Sequence, residues 1–136
     1  MQKNRKTQLL LIIILLLYVV LAAGYGLVVP LFEAPDEHHH FFTIRYIANT
    51  GTLPTIESGE LARQEAAQPP LYYLIAAPLV SLVDTSGAEE QLWFNPTVRN
   101  GISQPTNVNS FIHLERESWP WQGYPVAAHL VRGLST

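Results

Sequence analysis

Residues 9–29 read LLLIIILLLYVVLAAGYGLVV, a 21-residue run without a single charge. As a helix rising 1.5 Å per residue it would be about 31 Å long, close to the roughly 30 Å hydrocarbon core of a bilayer. The residues before it, Met1 to Gln8, carry Lys3, Arg5 and Lys6 and no acid. A basic flank on this side predicts an N-terminal tail (1–8) held in the cytoplasm and a remainder that is exported. A cleaved signal peptide competes with this reading, with Val20-Leu21-Ala22 and Leu21-Ala22-Ala23 as tolerable small-residue cleavage sites. The run exceeds the about 7–15 apolar residues of an ordinary signal core, so the expectation is an uncleaved transmembrane helix over residues 9–30.

Immediately beyond the run stands Ala34-Pro35-Asp36-Glu37-His38-His39-His40-Phe41-Phe42, with two adjacent carboxylates and three of the five histidines. Pro35 suits the first turn of a helix, where its missing N–H costs nothing, and acids there favour the helix dipole. A helix over about 35–49, stopped by Gly51, would place Asp36 and His40 four residues apart on one face, with Glu37 and His40 also neighbours. Ionisable groups gathered where a span ends suggest chemistry at the membrane surface. The plain alternative is a solvated helix start whose acids only compensate the dipole.

Composition narrows the classes. The chain has 136 residues, a net charge of −3 and no cysteine. No basic stripe follows the N-terminus, so nucleic-acid binding has no support. Without cysteine there is neither a disulfide framework nor a thiolate metal site. With the apolar run, ten prolines and eight glycines set aside, little remains for a large soluble core.

Further along, Gly51-Thr52-Leu53-Pro54 reads as a turn, and the polar stretch Thr55 to Gln68, with good helix formers over Glu60 to Ala67, as a short surface helix or ordered loop. Gln68-Pro69-Pro70 opens a second apolar segment, Leu71 to Val83, too short to cross a bilayer unaided. Its Tyr72-Tyr73 pair suits the headgroup level, and Pro78 is placed to kink it. It is expected to lie along the membrane or against other helices (about 70–83), with an ordinary buried helix as the alternative. Asn95-Pro96, Asn100-Gly101 and Gln104-Pro105 punctuate a loop. From Pro125 to Thr136 the chain turns helical and apolar again, and 126–136 reads as the start of a second span in a longer polytopic protein.

Several chemistries fit these residues. Asp36 could act as a general base on a hydroxyl. Asp36, Glu37 and His40 could contribute to a divalent-metal site, since carboxylate and imidazole suit zinc or manganese. Consecutive histidines point about 100° apart on a helix, so a complete four-ligand set is not expected here. A nucleophile elbow and a phosphate-cradling glycine loop are both missing from the sequence.

The order of motifs resembles a known family. A transmembrane helix, then Pro35-Asp36-Glu37-x-x-His40, Gly51-x-Leu53-Pro54 and Gln68-Pro69-Pro70-Leu71-Tyr72-Tyr73, looks like the N-terminal part of bacterial polytopic C-type membrane glycosyltransferases. These are related to protein O-mannosyltransferases and to the lipid A aminoarabinose transferases. Arg132-Gly133-Leu134-Ser135 is similar to the Arg-Leu-x-Ser with which their second span begins. A group of uncharacterised polytopic membrane proteins shares the Pro-Asp-Glu and Gln-Pro-Pro-Leu-Tyr-Tyr patterns. The resemblance implies a first extracytoplasmic loop (31–125) with two membrane-parallel helices and a catalytic aspartate, which falls on Asp36. It implies inverting transfer of a sugar from a polyprenyl-phosphate donor, with Glu37 orienting the site or holding a metal with His40. Gln68, Pro69, Pro70 and Tyr72 would shape the floor near the lipid donor. Relatives often have Lys-Pro-Pro where this chain has Gln68-Pro69-Pro70, so the cationic phosphate contact must come from elsewhere, for instance beyond Thr136.

The expected fold is therefore mainly α and membrane-associated: one N-terminal span, then an exported loop with membrane-parallel helices, as a fragment of a larger polytopic fold. The expected function is that of a membrane glycosyltransferase acting at the outer face of the cell membrane, inactive as this segment alone. The alternative is a non-catalytic, signal-anchored module that binds a partner through its aromatic-rich loop.

Overall fold

A computed structural model describes residues 2–98 and 109–135, without the side chains of Gln2 and Lys3. The expected turns at Asn100-Gly101 and Gln104-Pro105 lie outside the described residues. The described chain is helical, with no strand and a single isolated antiparallel bridge between Phe94 and Phe111.

α1 runs from Gln2 to Val28. Its most apolar 18-residue stretch has mean hydropathy 2.7, and none of that stretch is buried. A core helix of a water-soluble domain would be covered; this one exposes leucine, isoleucine and valine on every side. It is the one helix among the described residues long and apolar enough to cross a membrane. Pro30 follows its end, where a residue without an N–H cannot continue the ladder.

The remaining helices form a packed layer at the C-terminal end of α1. α2 spans Glu37–Thr50 and is its centre. Phe41, Phe42, Thr43, Ile44 and Ile47 are buried, so α2 is a core helix rather than a solvated one. It ends on Gly51, whose φ of 69° allows the left-handed closing turn in which its N–H bonds Ile47 O at 2.8 Å. α3 is only Glu60–Arg63, shorter than the 60–67 stretch of good helix formers. Residues 64–67 tighten into turns instead, which carries Glu65 inward to 6 % exposure.

α4 covers Leu71–Val80 and opens after Pro70. Tyr73, Ala76, Ala77 and Val80 are buried, while Leu71, Leu74 and Ile75 on the opposite face are exposed. The helix is thus apolar on both faces, and only one has a partner among the described residues. α5, Tyr124–Leu134, begins just before the expected 126 and takes Pro125 in its first turn. It packs on α4 and on α1. Buried alanines on α4 (Ala76, Ala77) and on α5 (Ala127, Ala128) put little bulk between the helices.

One aromatic residue ties α1 to this layer. Phe32 has a φ of 67°, uncommon for a bulky side chain. Its ring lies 5.5 Å from Phe41, 6.2 Å from Phe42 and from Phe111, and 6.3 Å from Tyr124. A left-handed residue costs about 1–2 kcal/mol. Burying a phenylalanine side chain contributes about as much or more, so the packing holds the strained turn in place.

Candidate functional site

A cavity of about 640 Å³ opens where α1 ends, between the amino end of α2, Tyr72 of α4 and the last turn of α5. Ala22, Tyr25 and Gly26 of α1 give it an apolar wall; Glu37, His40, Tyr72, Arg132 and Ser135 give it a polar one. Residues far apart in sequence meet here.

Glu37 and Arg132 define the closed side. Arg132 Nε and Nη2 donate to the two carboxylate oxygens of Glu37, each at 2.7 Å. Its Nη1 donates to the carbonyls of Gly26 and Val29 at 2.7 Å, and Nη2 also to Pro30 O at 3.0 Å. A guanidinium has five N–H groups, and five oxygens of this chain receive them. The carbonyls at the end of α1, which have no partner within the helix, are thereby capped by a cation. Glu37 Oε2 further accepts the Phe32 N–H at 2.8 Å, fixing the strained turn from the other side.

Asp36 lies differently. The expected helix start at Pro35 is displaced: Pro35 and Asp36 precede α2, and Asp36 occupies the N-cap position with φ 58°. The Ala34–Glu37 turn, closed by Glu37 N–H to Ala34 O at 3.2 Å, aims Glu37 at Arg132 and turns Asp36 outward. The Asp36 side chain makes no capping bond and is exposed, between two residues, Pro35 and Glu37, that line the cavity.

His40 also lines the cavity, and its Nδ1 lies 2.9 Å from Tyr73 Oη. Tyr73 donates to Glu65 Oε2 at 3.4 Å. Burial, followed by the charge of Glu65, pushes the Tyr73 hydroxyl up to about 12, so it stays protonated. His39 points elsewhere, with Nδ1 3.3 Å from Leu61 O. His38 packs edge-on against Phe111 and Phe94. Burial first, then the neighbouring His39, lowers its pKa from 6.5 to about 4, and its Nδ1 is buried without a partner.

The remaining expected site residues divide. Tyr72 lines the cavity and donates its hydroxyl to Val131 O at 3.2 Å. Gln68, Pro69 and Pro70 are exposed, and Gln68 and Pro70 border a separate pocket of about 110 Å³ beside Glu65. The structure does not bring them to the cavity. Glu37 and His40 do not fit a metal: both Glu37 oxygens face the Arg132 guanidinium, and a dication there would meet that positive charge. Among the described residues no group of three or more histidines and acids converges as a ligand set.

A second polar cluster lies on the far side of the α1 exit, and nothing in the sequence reading pointed to it. His113 Nε2 is 2.9 Å from Glu33 Oε1, and its Nδ1 is 2.6 Å from Glu117 Oε2. Glu33 also accepts the N–H groups of Ser110 and Phe111, and Tyr124 donates to Glu117 at 2.8 Å. The four-residue spacing of His113 and Glu117 was the only visible signal. Glu33, 80 residues away in sequence, could not have been assigned to it. Arg132 was visible only as part of a motif, with no pattern linking it to Glu37. No protein-family profile, curated protein sequence or solved structure matches the chain.

Proposed function

We propose that this chain is the N-terminal, membrane-anchoring part of a polytopic glycosyltransferase that moves a sugar from a polyprenyl-phosphate donor to an extracytoplasmic hydroxyl. α1 anchors it with the basic tail in the cytoplasm, and the α2–α5 layer lies on the outer surface. The observation that carries the reading is convergence. Pro35, Glu37 and His40 after the first helix, Tyr72 of the second apolar segment, and Arg132 and Ser135 near the end all border one cavity. That cavity has an apolar wall along α1, and Asp36 is exposed between two of its lining residues, Pro35 and Glu37, so an amphiphilic donor can meet both an apolar surface and a carboxylate.

Asp36 is the general base. Its carboxylate takes the proton of the acceptor hydroxyl as the oxygen attacks the anomeric carbon. The bond from that carbon to the phosphate oxygen breaks, and the polyprenyl phosphate leaves without needing a proton. Glu37 does not share this work, because Arg132 holds both its oxygens. Arg132 in turn has no N–H to spare for the departing phosphate, so a different group supplies that cationic contact. Gln68, Pro69 and Pro70, exposed on another side, bind no part of the ligand inside the cavity.

The test is transfer of a labelled sugar from polyprenyl phosphate by the membrane protein that carries this chain. Asp36→Asn keeps size and turn geometry and removes the proton acceptor. It is expected to accumulate like wild type and to lower transfer at least about a hundredfold, within the range for loss of a general base. His39→Ala should leave transfer near wild type. Retention of most activity in Asp36→Asn would place the base elsewhere.

A further inference from the structure

Glu65 is the one buried acid among the described residues. No lysine or arginine of the described chain lies within ion-pair distance of it; its nearest titratable partner is His40, with Nδ1 3.8 Å from Oε2. A buried carboxylate needs proton donors. The Tyr73 hydroxyl supplies one at 3.4 Å from the same oxygen. Tyr73 is itself buried and keeps its proton.

The direction of these bonds fixes the histidine. With its only proton given to Glu65, the Tyr73 oxygen can act toward His40 solely as an acceptor. His40 must then carry hydrogen on Nδ1, 2.9 Å away, whether the ring is neutral or cationic. The other nitrogen, Nε2, bonds none of the described residues. The ring is stacked over Tyr73, with centroids 5.9 Å apart, and borders the cavity. The same cavity is lined by the polar side chains of His40, Tyr72 and Ser135 and by the apolar Ala22 and Gly26 of α1. A ligand that satisfies both has a hydroxylated head and an apolar chain.

We propose that Glu65, acting through Tyr73, locks His40 so that its Nε2 stands in the cavity as a fixed acceptor for a hydroxyl of a bound glycolipid-like amphiphile. Glu65 and Tyr73 are positioning residues; His40 is the binding one. The inference rests on the proposed function only in that the cavity takes a sugar-bearing amphiphile. Asp36 receives the proton in transfer, and His40 orients a different hydroxyl.

The full chain, labelled with ¹⁵N-histidine in lipid nanodiscs, reports the tautomer directly. At about pH 9, well above the ordinary imidazole range, two-bond proton–nitrogen correlations distinguish protonated from bare ring nitrogens. His40, assigned by loss of its signals in His40→Gln, should show hydrogen on Nδ1 and a bare Nε2. Glu65→Leu frees the Tyr73 proton to turn toward His40 and should reverse the tautomer. Octyl glucoside should shift Nε2 of His40, whereas an octyl amine oxide without hydroxyls should not. Hydrogen on Nε2 in the wild type overturns the proposal, and this needs no variant to fold. An unchanged tautomer in Glu65→Leu overturns it as well, as does an equal response to both amphiphiles. None of these readings requires turnover, so they fail separately from the Asp36→Asn transfer assay.

Discussion

The cavity has one wall in which every donor and acceptor is matched and one rim on which they are not. On the wall, Arg132 meets Glu37 and three backbone carbonyls with all five of its N–H groups. On the rim, Asp36 is exposed in a left-handed turn without a capping bond, and His40 has one nitrogen uncommitted. Asp36 and Glu37 are consecutive residues of one chemical class, separated by a single backbone turn. Saturated bonding makes structure, and unsaturated bonding at a cavity mouth leaves capacity for a ligand. Of two adjacent acids, the fold engages Glu37 through Arg132 and leaves the Asp36 carboxylate exposed.

The largest expected effect comes from opening the wall. Arg132→Met leaves the Glu37 carboxylate, only 15 % exposed, without its cation and strips the cap from the end of α1. Removing one partner of such a pair costs about 3–5 kcal/mol. Denaturant unfolding of the α2–α5 layer, with α1 held in detergent, should show a loss of that order. Arg132→Lys should recover little, because an ammonium cannot bridge both oxygens and three carbonyls at once. A loss below about 1 kcal/mol would mean that the wall is surface decoration, and the contrast with the rim would collapse.

How much of this contrast the sequence could reveal depends on range. The apolar part of α1 is legible in the 21-residue uncharged run 9–29, and in the fold none of its most apolar stretch is buried. Gly51 marks the end of α2 because only a permissive residue closes that turn cheaply. The helix start was misplaced by about two residues, because Pro35 and Asp36 also suit a turn, and long-range pull decided between them. Arg132, 95 residues from Glu37, exerts that pull. Glu65 looked like part of a polar surface stretch, yet turns after α3 bury it against Tyr73. Local chemistry announced which residues were unusual; only packing decided which of them were used up.

A middle-sized effect involves pH and the buried edge of the histidine run. His38 has a folded pKa of about 4 against 6.5 for the free side chain, through burial first and then the charge of His39. Asp36 and Glu37 oppose the shift, and His40 adds to it. Between those values the unfolded chain takes up a proton that the folded chain refuses. Stability is therefore complete above about pH 6.5 and falls as pH drops toward 4. His38→Phe, which suits the ring contacts with Phe94 and Phe111, should flatten this part of the stability–pH curve. An unchanged slope would show that His38 is solvated in the folded chain rather than buried.

The smallest effect sharpens the rim itself. Asp36 holds a φ of 58°, and its side chain gains no capping bond in return. Glycine adopts that conformation without steric cost. Asp36→Gly should leave stability unchanged or raise it by up to about 1 kcal/mol, while removing the carboxylate. A thermal-unfolding comparison of Asp36→Gly with wild type checks this. Clear destabilisation would make Asp36 part of the structural wall after all.

The account depends most on which side of a membrane this layer occupies. The chain has no cysteine, so a single introduced thiol can be read without background. Ile56 is 80 % exposed in the α2–α3 loop, and Asn4 lies exposed at the basic end of α1. Intact spheroplasts carrying Ile56→Cys or Asn4→Cys can be treated with a membrane-impermeant maleimide, and the product weighed by mass spectrometry. The account predicts that Ile56→Cys labels from outside on a chain still containing residues 1–28, and that Asn4→Cys labels only after permeabilisation. The reverse pattern, or a labelled product from which α1 has been cleaved, would contradict it.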